Sequence, residues 1–381
     1  MLLTNGVLQG LTRLRKKLEN LAIAIKTRNI NDAHKYAKNT ILILAGITIS
    51  SLTNTGLFEK AKETRDKTQN ATENQAKILN EYEDELNKYV SGTTQTQKLA
   101  DKVKVGDYVK YTPDTASTDS ILEELGTYSG NTDSTKNNKD TLTQEKDLNW
   151  KVLDIQNGQV RLISELPTKS IITLYGFKGY NNAVKLLDDA CQTLYYNSKL
   201  TSKVQNLKIE DITAYIDIKS MEGPETATPT NKYYPSILVK EKGQTVNGTT
   251  GIELGLSEQT EFINQTEKIQ VNSWTIKRTY WQKDINNTDS KYYELFINNG
   301  KDNFKYWISS RCIDADSAYA LFDVRHVGSN NINASDLCNS YGTERSYSYS
   351  FRPVITLNSN VQIDTSNSGD GSTAEQAYVI K

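Results

Sequence analysis

Few residues of this chain could carry out chemistry. Cysteine occurs three times, at Cys191, Cys312 and Cys338, and histidine twice, at His34 and His326. No cysteine lies in a CxxC pair, and no cysteine–histidine spacing suggests a zinc site. Two histidines also leave little room for other metal centres or for a Ser-His-Asp triad. We therefore expect no enzymatic activity, no cofactor and no metal.

The cysteines leave the redox compartment open. Cys312 and Cys338 could form a disulfide across two strands, which would leave the third thiol free. Cys191 shares the apolar face of a predicted helix with Leu187 and Leu194. We therefore interpret Cys191 as a small core residue rather than as a nucleophile.

A second group of residues suggests contact rather than catalysis. Between Asp314 and Tyr349, 19 of the 36 residues are Asn, Tyr, Ser, Asp or His. Tyrosine supplies rigid amphipathic contact area, and Ser and Asn supply adaptable hydrogen bonds, as in antibody loops. The whole chain is rich in tyrosine, however, with 22 Tyr against 7 Phe, a bias that an AT-rich genome would also produce. This stretch predicts either a displayed binding surface or an edge strand with a tyrosine face.

Three segments predict the strands that would support such a surface. They are "YWISSRC" (306–312), "ALFDVRHVG" (320–328) and "SFRPVITL" (350–357). In the middle segment Phe322 and Val324 alternate with polar neighbours, as residues on the two faces of a strand do.

Residues beside the last segment have alternative interpretations. Tyr347 and Tyr349 fall on the same strand face as Phe351, so they could pack in the core or be displayed. We predict that Arg352, which precedes Pro353, ties the end of its strand to a neighbouring carbonyl or carboxylate.

Length and charge limit the function further. A chain of 381 residues is long enough for two or three domains. It has 45 basic and 46 acidic residues, a net charge of −1, so no basic excess favours nucleic acid as a partner. We divide the chain into residues 1–52, a long charged helix over 53–95, and a domain over 102–381.

The large domain has recognisable local signals. Residues 102–113 alternate as a half-buried strand, whereas 114–146 are almost wholly polar and predict a disordered insertion. Asn157-Gly158 between two apolar runs predicts a hairpin. Residues 180–197 and 209–217 predict two helices, and the C-terminal tail predicts a closing strand.

The N-terminal residues differ from the rest. Leucines at helical spacing predict a basic amphipathic helix over 7–27. The apolar stretch 40–52 is only about 13 residues long, shorter than the roughly 20 that span a bilayer. A signal-peptide core would have this length. Residues 56–90 predict a helix with interleaved charges.

The sequence "ILILAGITISSLTNTGLFEKAKETRDKT" (41–68) resembles the N-terminal helix of type IV pilin-like proteins of clostridial bacteria. The resemblance implies a membrane-seated helix that carries a C-terminal head outside the cell. The chain differs from that family over residues 21–39, where the prepilin cleavage site and the first half of the apolar span would be expected.

The large domain resembles the variable proteins of diversity-generating retroelements, which have a C-type-lectin-like fold related to formylglycine-generating enzymes. The resemblance is best in "VGDYVKYTP" (105–113), "LNWKVLDI" (148–155) and in the first and last of the three supporting segments. It implies an α+β fold, in which a long N-terminal helix is followed by a C-type-lectin-like domain with a mixed antiparallel sheet and two helices.

The resemblance also implies that residues 312–350 form a hypervariable ligand-binding face. Its expected ligand is a protein or surface ligand, with the protein at the cell surface or extracellular and its N-terminal segment associated with the membrane. Two other functions stay open: a structural pilin-like subunit and an enzyme of the formylglycine-generating type. The residues of the expected face are Asp314, Asp316, Ser317, Tyr319, Asp323, His326, Asn330, Asn331, Asn333, Ser340, Tyr341, Arg345, Tyr347 and Tyr349.

Overall fold

A computed structural model describes the C-terminal three quarters of the chain, with gaps. The described residues are 97–131, 142–216, 226–228, 230–239, 246–247, 252–254, 256–263, 269–273, 275–277, 283–284, 291–297, 305–315, 319–328 and 331–381. The predictions for residues 1–52 and for the charged helix 53–95 lie outside them.

Strands outnumber helices in the described residues. The helices are α1 (Asp119–Tyr128), α2 (Gly176–Tyr195), α3 (Ile209–Thr213) and α4 (Lys291–Phe296), and Leu99–Asp101 form a 3-10 turn. The strands are β1 (Tyr108–Lys110), β2 (Trp150–Gln156), β3 (Gln159–Ser164), β4 (Ile172–Tyr175), β5 (Thr201–Asn206), β6 (Thr226–Ala227), β7 (Thr230–Tyr234), β8 (Ile237–Val239), β9 (Val246–Asn247), β10 (Ile252–Leu254), β11 (Ile269–Ser273), β12 (Thr275–Lys277), β13 (Lys283–Asp284), β14 (Tyr306–Ala315), β15 (Ala320–Val327), β16 (Asn331–Asn339), β17 (Ser346–Phe351), β18 (Pro353–Leu357) and β19 (Tyr378–Val379).

The first large sheet has the strand order β19-β1-β2-β3-β18-β5. The hairpin β2–β3 turns at Asn157 and Gly158, whose φ angles are 51° and 77°. Two-residue hairpin turns of type I′ need positive φ at both positions, and Asn-Gly adopts it readily. The predicted hairpin is therefore confirmed. The tail forms the edge strand β19, parallel to β1, which confirms the predicted closing strand.

The second large sheet has the order β13-β16-β15-β14-β17-β4. All ten residues of β14 are buried, and seven of the eight residues of β15 are buried. The three segments that predicted supporting strands thus lie in β14, β15 and the β17–β18 pair. Three smaller sheets, β10-β8, β11-β7 and β6-β12-β9, are formed by strands between Thr226 and Lys277.

Helix α2 packs against strands of both large sheets, including β5 of the first and β14 of the second. Leu186, Leu187, Ala190, Cys191 and Leu194 lie on its buried side. The helical spacing of these apolar residues explains why the segment forms one amphipathic helix. The interpretation of Cys191 as a core residue is confirmed.

Helix α1 corrects the expectation of a disordered insertion over residues 114–146. Ile121 and Leu125 are fully buried in the main core, and Leu142 also joins it. Two apolar side chains spaced i, i+4 share one helix face, so a mostly polar segment still has an apolar contact. Residues 132–141 lie outside the described residues.

The short helices α3 and α4 contribute to a second core cluster. Ile212 of α3 and Phe296 of α4 pack there with Tyr306 of β14 and Val327 of β15. Other residues of β14 and β15 belong to the main core with α2. Both strands thus contribute residues to both clusters. Alternating residues of a strand point to opposite faces, and nearly all residues of β14 and β15 are buried, so the polar residues between the apolar ones are not exposed to solvent.

Arg352 is buried where β17 meets β18. Its guanidinium donates hydrogen bonds to the carbonyl oxygens of Ser164 (2.9 Å from Nη2), Glu165 (2.9 Å) and Phe296 (3.3 Å). A buried cation is tolerated only when its donors are paired. The predicted structural role of Arg352 is confirmed.

The described residues therefore form a sheet-rich α+β domain with few helices. Besides the two predicted helices, which are observed at 176–195 and 209–213, α1 and α4 are present. No helix among the described residues is long and apolar enough to cross a membrane.

Candidate binding face

Strand β17 changes neighbours along its length. Just before it, the amide of Arg345 donates to the carbonyl of Leu337 in β16 at 2.8 Å. At its end, Ser350 and Phe351 pair in parallel with β14, although β15 separates β14 from β16. Its middle residues pair with β4. The side chains of β17 are thereby brought to several strands of the sheet.

Tyr349 is anchored where β17 approaches the centre of the sheet. Its hydroxyl lies 3.1 Å from Ser335 Oγ, and that oxygen lies 3.2 Å from His326 Nδ1. The Tyr349 ring centroid is 4.4 Å from that of Trp307 and 4.8 Å from that of His326. Lys305 Nζ lies 5.5 Å from the same ring, a cation–π contact. Tyr349 is thus half-buried and held on several sides.

The imidazole of His326 is neutral in this environment. Its side chain is 3% exposed, and burial, with the charge of nearby Lys305, lowers the pKa of His326 to about 3. A neutral imidazole suits the contact with the Ser335 hydroxyl, since each group can donate or accept. The buried imidazole of His326 therefore helps to hold the Tyr349 side chain in place.

Tyr347 forms a neighbouring cluster. Its hydroxyl donates to Asp336 Oδ1 at 2.9 Å, and Asp336 Oδ2 forms an ion pair with Arg345. The Tyr347 and Tyr349 ring centroids are 6.1 Å apart. Burial raises the pKa of Tyr347, which keeps its hydroxyl protonated as the donor to Asp336. Since the Arg345 side chain is 49% exposed, this cluster faces solvent through its cation.

Tyr341, in the turn between β16 and β17, pairs with Tyr319, which lies just before β15. The ring centroids of Tyr319 and Tyr341 are 5.4 Å apart, and Tyr341 is 48% exposed. The turn is shaped by Asn339, whose Oδ1 accepts from the amides of Tyr341 (3.0 Å) and Thr343 (3.1 Å). An Asx turn of this kind fixes the backbone without using the tyrosine side chains.

The structure divides the expected face into three groups. The exposed or half-exposed residues are Tyr319, Asn331, Asn333, Tyr341, Arg345, Tyr347 and Tyr349. The buried residues are Asp314, Asp323, His326 and Ser340. Asp316, Ser317 and Asn330 lie outside the described residues.

The expectation of solvent exposure is wrong for the four buried residues. Asp314, Asp323 and His326 lie on β14 and β15, which the two core clusters cover on both sides. Ser340 is also buried, and its Oγ accepts a hydrogen bond from the amide of Ala320 at 3.0 Å. The polar groups of these four residues lie inside the protein. The residues belong to the strands and turn beneath the face rather than to its surface.

Sequence reasoning missed several residues of this region. Ser335 and Asp336 hold the two tyrosine hydroxyls, and both belong to the same residue types and window that marked the face. Lys305 and Glu344 carried no such signal, because their contacts depend on chain segments that are distant in sequence.

The thiols are separated and buried. Cys312 of β14 and Cys338 of β16 pair in register with Asp323 and Phe322 of the strand between them. Two strand spacings amount to about 9.6 Å, beyond the roughly 7 Å between Cα atoms that a disulfide spans. None of the three cysteines forms a disulfide, so the structure does not have the cross-strand pairing that the sequence left open.

The thiol environment also bears on catalysis. Burial, with Asp323 and Asp314 nearby, raises the pKa of Cys312 well above its ordinary value. The thiolate is the reactive form of cysteine, so this environment opposes nucleophilic chemistry at Cys312. Among the described residues, no group of three or more His, Cys, Asp or Glu side chains could hold a metal ion.

A cavity of about 390 Å³ lies at the end of the β1–β2 pair. Val109, Tyr111 and Trp150 are the buried residues of its lining, while Lys110 and Glu375 on its rim are exposed. It shares no lining residue with the tyrosine clusters, so the two features are separate.

Comparison of the chain with protein-family models, with curated proteins and with solved structures finds no match.

Proposed function

We propose that this chain is a non-enzymatic binding protein whose surface around β16 and β17 contacts a protein or surface ligand. The observation that carries the proposal is the group of half-exposed tyrosines, Tyr319, Tyr341, Tyr347 and Tyr349, with Arg345 beside them. Tyrosine and arginine are the side chains most enriched at the energetic centres of interfaces.

Preorganisation supports the proposal. The hydroxyls of Tyr347 and Tyr349 already have partners in Asp336 and Ser335, so their rings are held before any ligand arrives. A binding surface that is ordered in advance loses less conformational entropy on association. Arg345 uses one guanidinium nitrogen for Asp336, and its half-exposed fork has further donors for a ligand.

The proposal extends to the family that the sequence resembles. The domain is of the C-type-lectin-like type, and residues 312–350 are diversified by a retroelement that copies template adenines with errors. Support comes from the residue types: such copying turns Asn codons into codons for Tyr, Ser, Asp and His, and Asn and these four residue types gather on β15, β16 and β17. Display at the cell surface, with membrane association of the N-terminal segment 1–52, belongs to the same proposal.

The gene itself tests this function. Sequencing the gene from several isolates should find substitutions concentrated between residues 312 and 350. A near-copy of those codons, differing only at adenines and close to a reverse transcriptase gene, should lie nearby. Substitutions spread evenly over residues 97–381, with no such copy, would contradict diversification.

Ligand contact is tested separately with the purified protein. A peptide library displayed on phage should yield binders that lose affinity at least tenfold when Tyr341 and Arg345 are both replaced by alanine. The matched control replaces exposed Glu123 and Glu375, which lie outside the face. Binders that tolerate the first pair would contradict the assignment of this surface.

A further inference from the structure

Glu344 connects the turn after β16 to the start of helix α2. Its Oε1 accepts a hydrogen bond from the amide of Phe177 at 3.1 Å. Next to it, the amide of Gly176 donates to the carbonyl of Arg345 at 3.1 Å. Residues 344 and 345 thus bind two consecutive amides in the first turn of a helix that lies about 170 positions earlier in the chain.

Helix α2 has no cap of its own. Its N-cap residue Tyr175 makes no side-chain capping hydrogen bond, and its first turn contains no acidic residue. The first amides of a helix have no partners within the helix, and the positive end of the helix dipole favours a negative charge there. For a helix of 20 residues, Glu344 supplies from a distant segment what is usually supplied by the residues next to the helix.

Gly176 makes room for this contact. Its φ is +60°, and a Cβ atom there would lie 2.3 Å from Glu344 Oε1. Any larger residue at position 176 would therefore displace the carboxylate as well as strain the backbone. The two residues are matched in the structure although nothing in the sequence pairs them.

We propose that Glu344 is a positioning residue that holds the turn carrying Tyr341 and Arg345, and with it the start of β17 that carries Tyr347, in one conformation while those neighbours can be exchanged. The side chains of Arg345 and Tyr347 both contact Asp336 of β16, whereas the side chain of Glu344 ties the turn to α2. The inference rests on the proposed function, in which the neighbours contact the ligand.

Hydrogen exchange tests the cap without any ligand. In Glu344→Ala, the amides of Phe177 and of residues 340–346 should exchange about five- to tenfold faster, the factor expected for a lost helix cap. Amides of the β2–β3 hairpin should be unchanged, which separates a local effect from a loss of global stability. Glu344→Gln keeps an acceptor oxygen and should restore part of the protection; if Glu344→Ala does not fold, this variant carries the test. Glu123→Ala, an exposed carboxylate on α1, is the control.

A second pair of variants approaches the contact from the helix. Gly176→Ala and Gly158→Ala both place alanine at positive φ, at +60° and +77°, but only the first new Cβ meets Glu344. Faster exchange at residues 340–346 is expected for Gly176→Ala alone. If residues 340–346 in Glu344→Ala, Glu344→Gln and Gly176→Ala exchange as slowly as in the parent protein, the inference is overturned and the proposed function is left intact. Isolates without concentrated substitutions would overturn that function and leave the exchange result intact.

Discussion

The hydroxyl of Tyr349 lies 3.1 Å from the Oγ atom of Ser335, and this contact ties β17 to β16 although two other strands of the sheet lie between them. Ser335 in turn contacts His326 at 3.2 Å. The ring of Tyr349 is half-buried against Trp307. Tyr349 therefore combines the two alternatives that its sequence position left open: its hydroxyl is structural, and part of its ring is accessible.

Removing this hydroxyl should weaken the domain modestly. Tyr349→Phe should lower the free energy of unfolding by about 1 kcal/mol, the usual value of one hydrogen bond. Urea unfolding measures the change. Tyr319→Phe, in a half-exposed tyrosine of the same face, is the control and should change stability by less than about 0.5 kcal/mol. A double-mutant cycle with Ser335→Ala tests the contact itself. If the stability losses of Tyr349→Phe and Ser335→Ala sum to the loss in the double variant, the two hydroxyls are not coupled.

Arg352 and Arg345 should contribute very differently to the stability of the domain. Arg352→Met leaves several buried carbonyls without their donor, and should destabilise the domain by roughly 3 kcal/mol. Arg345→Met removes a half-exposed ion pair and should change stability by less than about 1 kcal/mol. Thermal and urea unfolding of both variants measure the contrast. Equal losses would contradict the assignment of Arg345 to the binding face and of Arg352 to the buried support.

Stability should fall in acid because His326 is buried. Its pKa is about 3 in the folded protein and about 6.5 in an unfolded chain. The folded state therefore binds fewer protons, so this contribution is complete above about pH 6.5 and is lost as the pH falls toward 3.

A variant isolates this effect from other titrating groups. His326→Gln cannot titrate, so between pH 7 and pH 4.5 it should lose roughly 2 kcal/mol less than the parent protein does. Urea unfolding at several pH values measures the difference. Parallel pH profiles for the two proteins would show that His326 is not the responsible group.

The three thiols should be free and protected. Cys191, Cys312 and Cys338 are all buried and none forms a disulfide, so a thiol reagent such as dithiobis-nitrobenzoate should label none rapidly in the native protein. It should label three in denaturant, with or without prior reduction. Fewer than three thiols in the unreduced, denatured protein would show that a disulfide forms.

The sequence by itself determined those features that depend on neighbouring residues. Asn157-Gly158 predicts its turn because the two residues accept positive φ, and the apolar spacing around Cys191 predicts α2 because 3.6 residues make one helical turn. The position of Arg352 before Pro353, at the end of a strand, predicts its bonds to neighbouring carbonyl or carboxylate groups. The α+β class was implied by the resemblance of the large domain, and the described residues have it.

Only the tertiary structure decided which polar residues face solvent. Asp323 and His326 resemble displayed residues in sequence, yet both faces of β15 are covered by distant segments. Ile121 and Leu125 form a core contact within a segment that composition alone marks as disordered. Glu344 caps a helix about 170 residues away. Burial and capping of this kind are long-range contacts, and a local pattern contains no information about which segment will supply the partner.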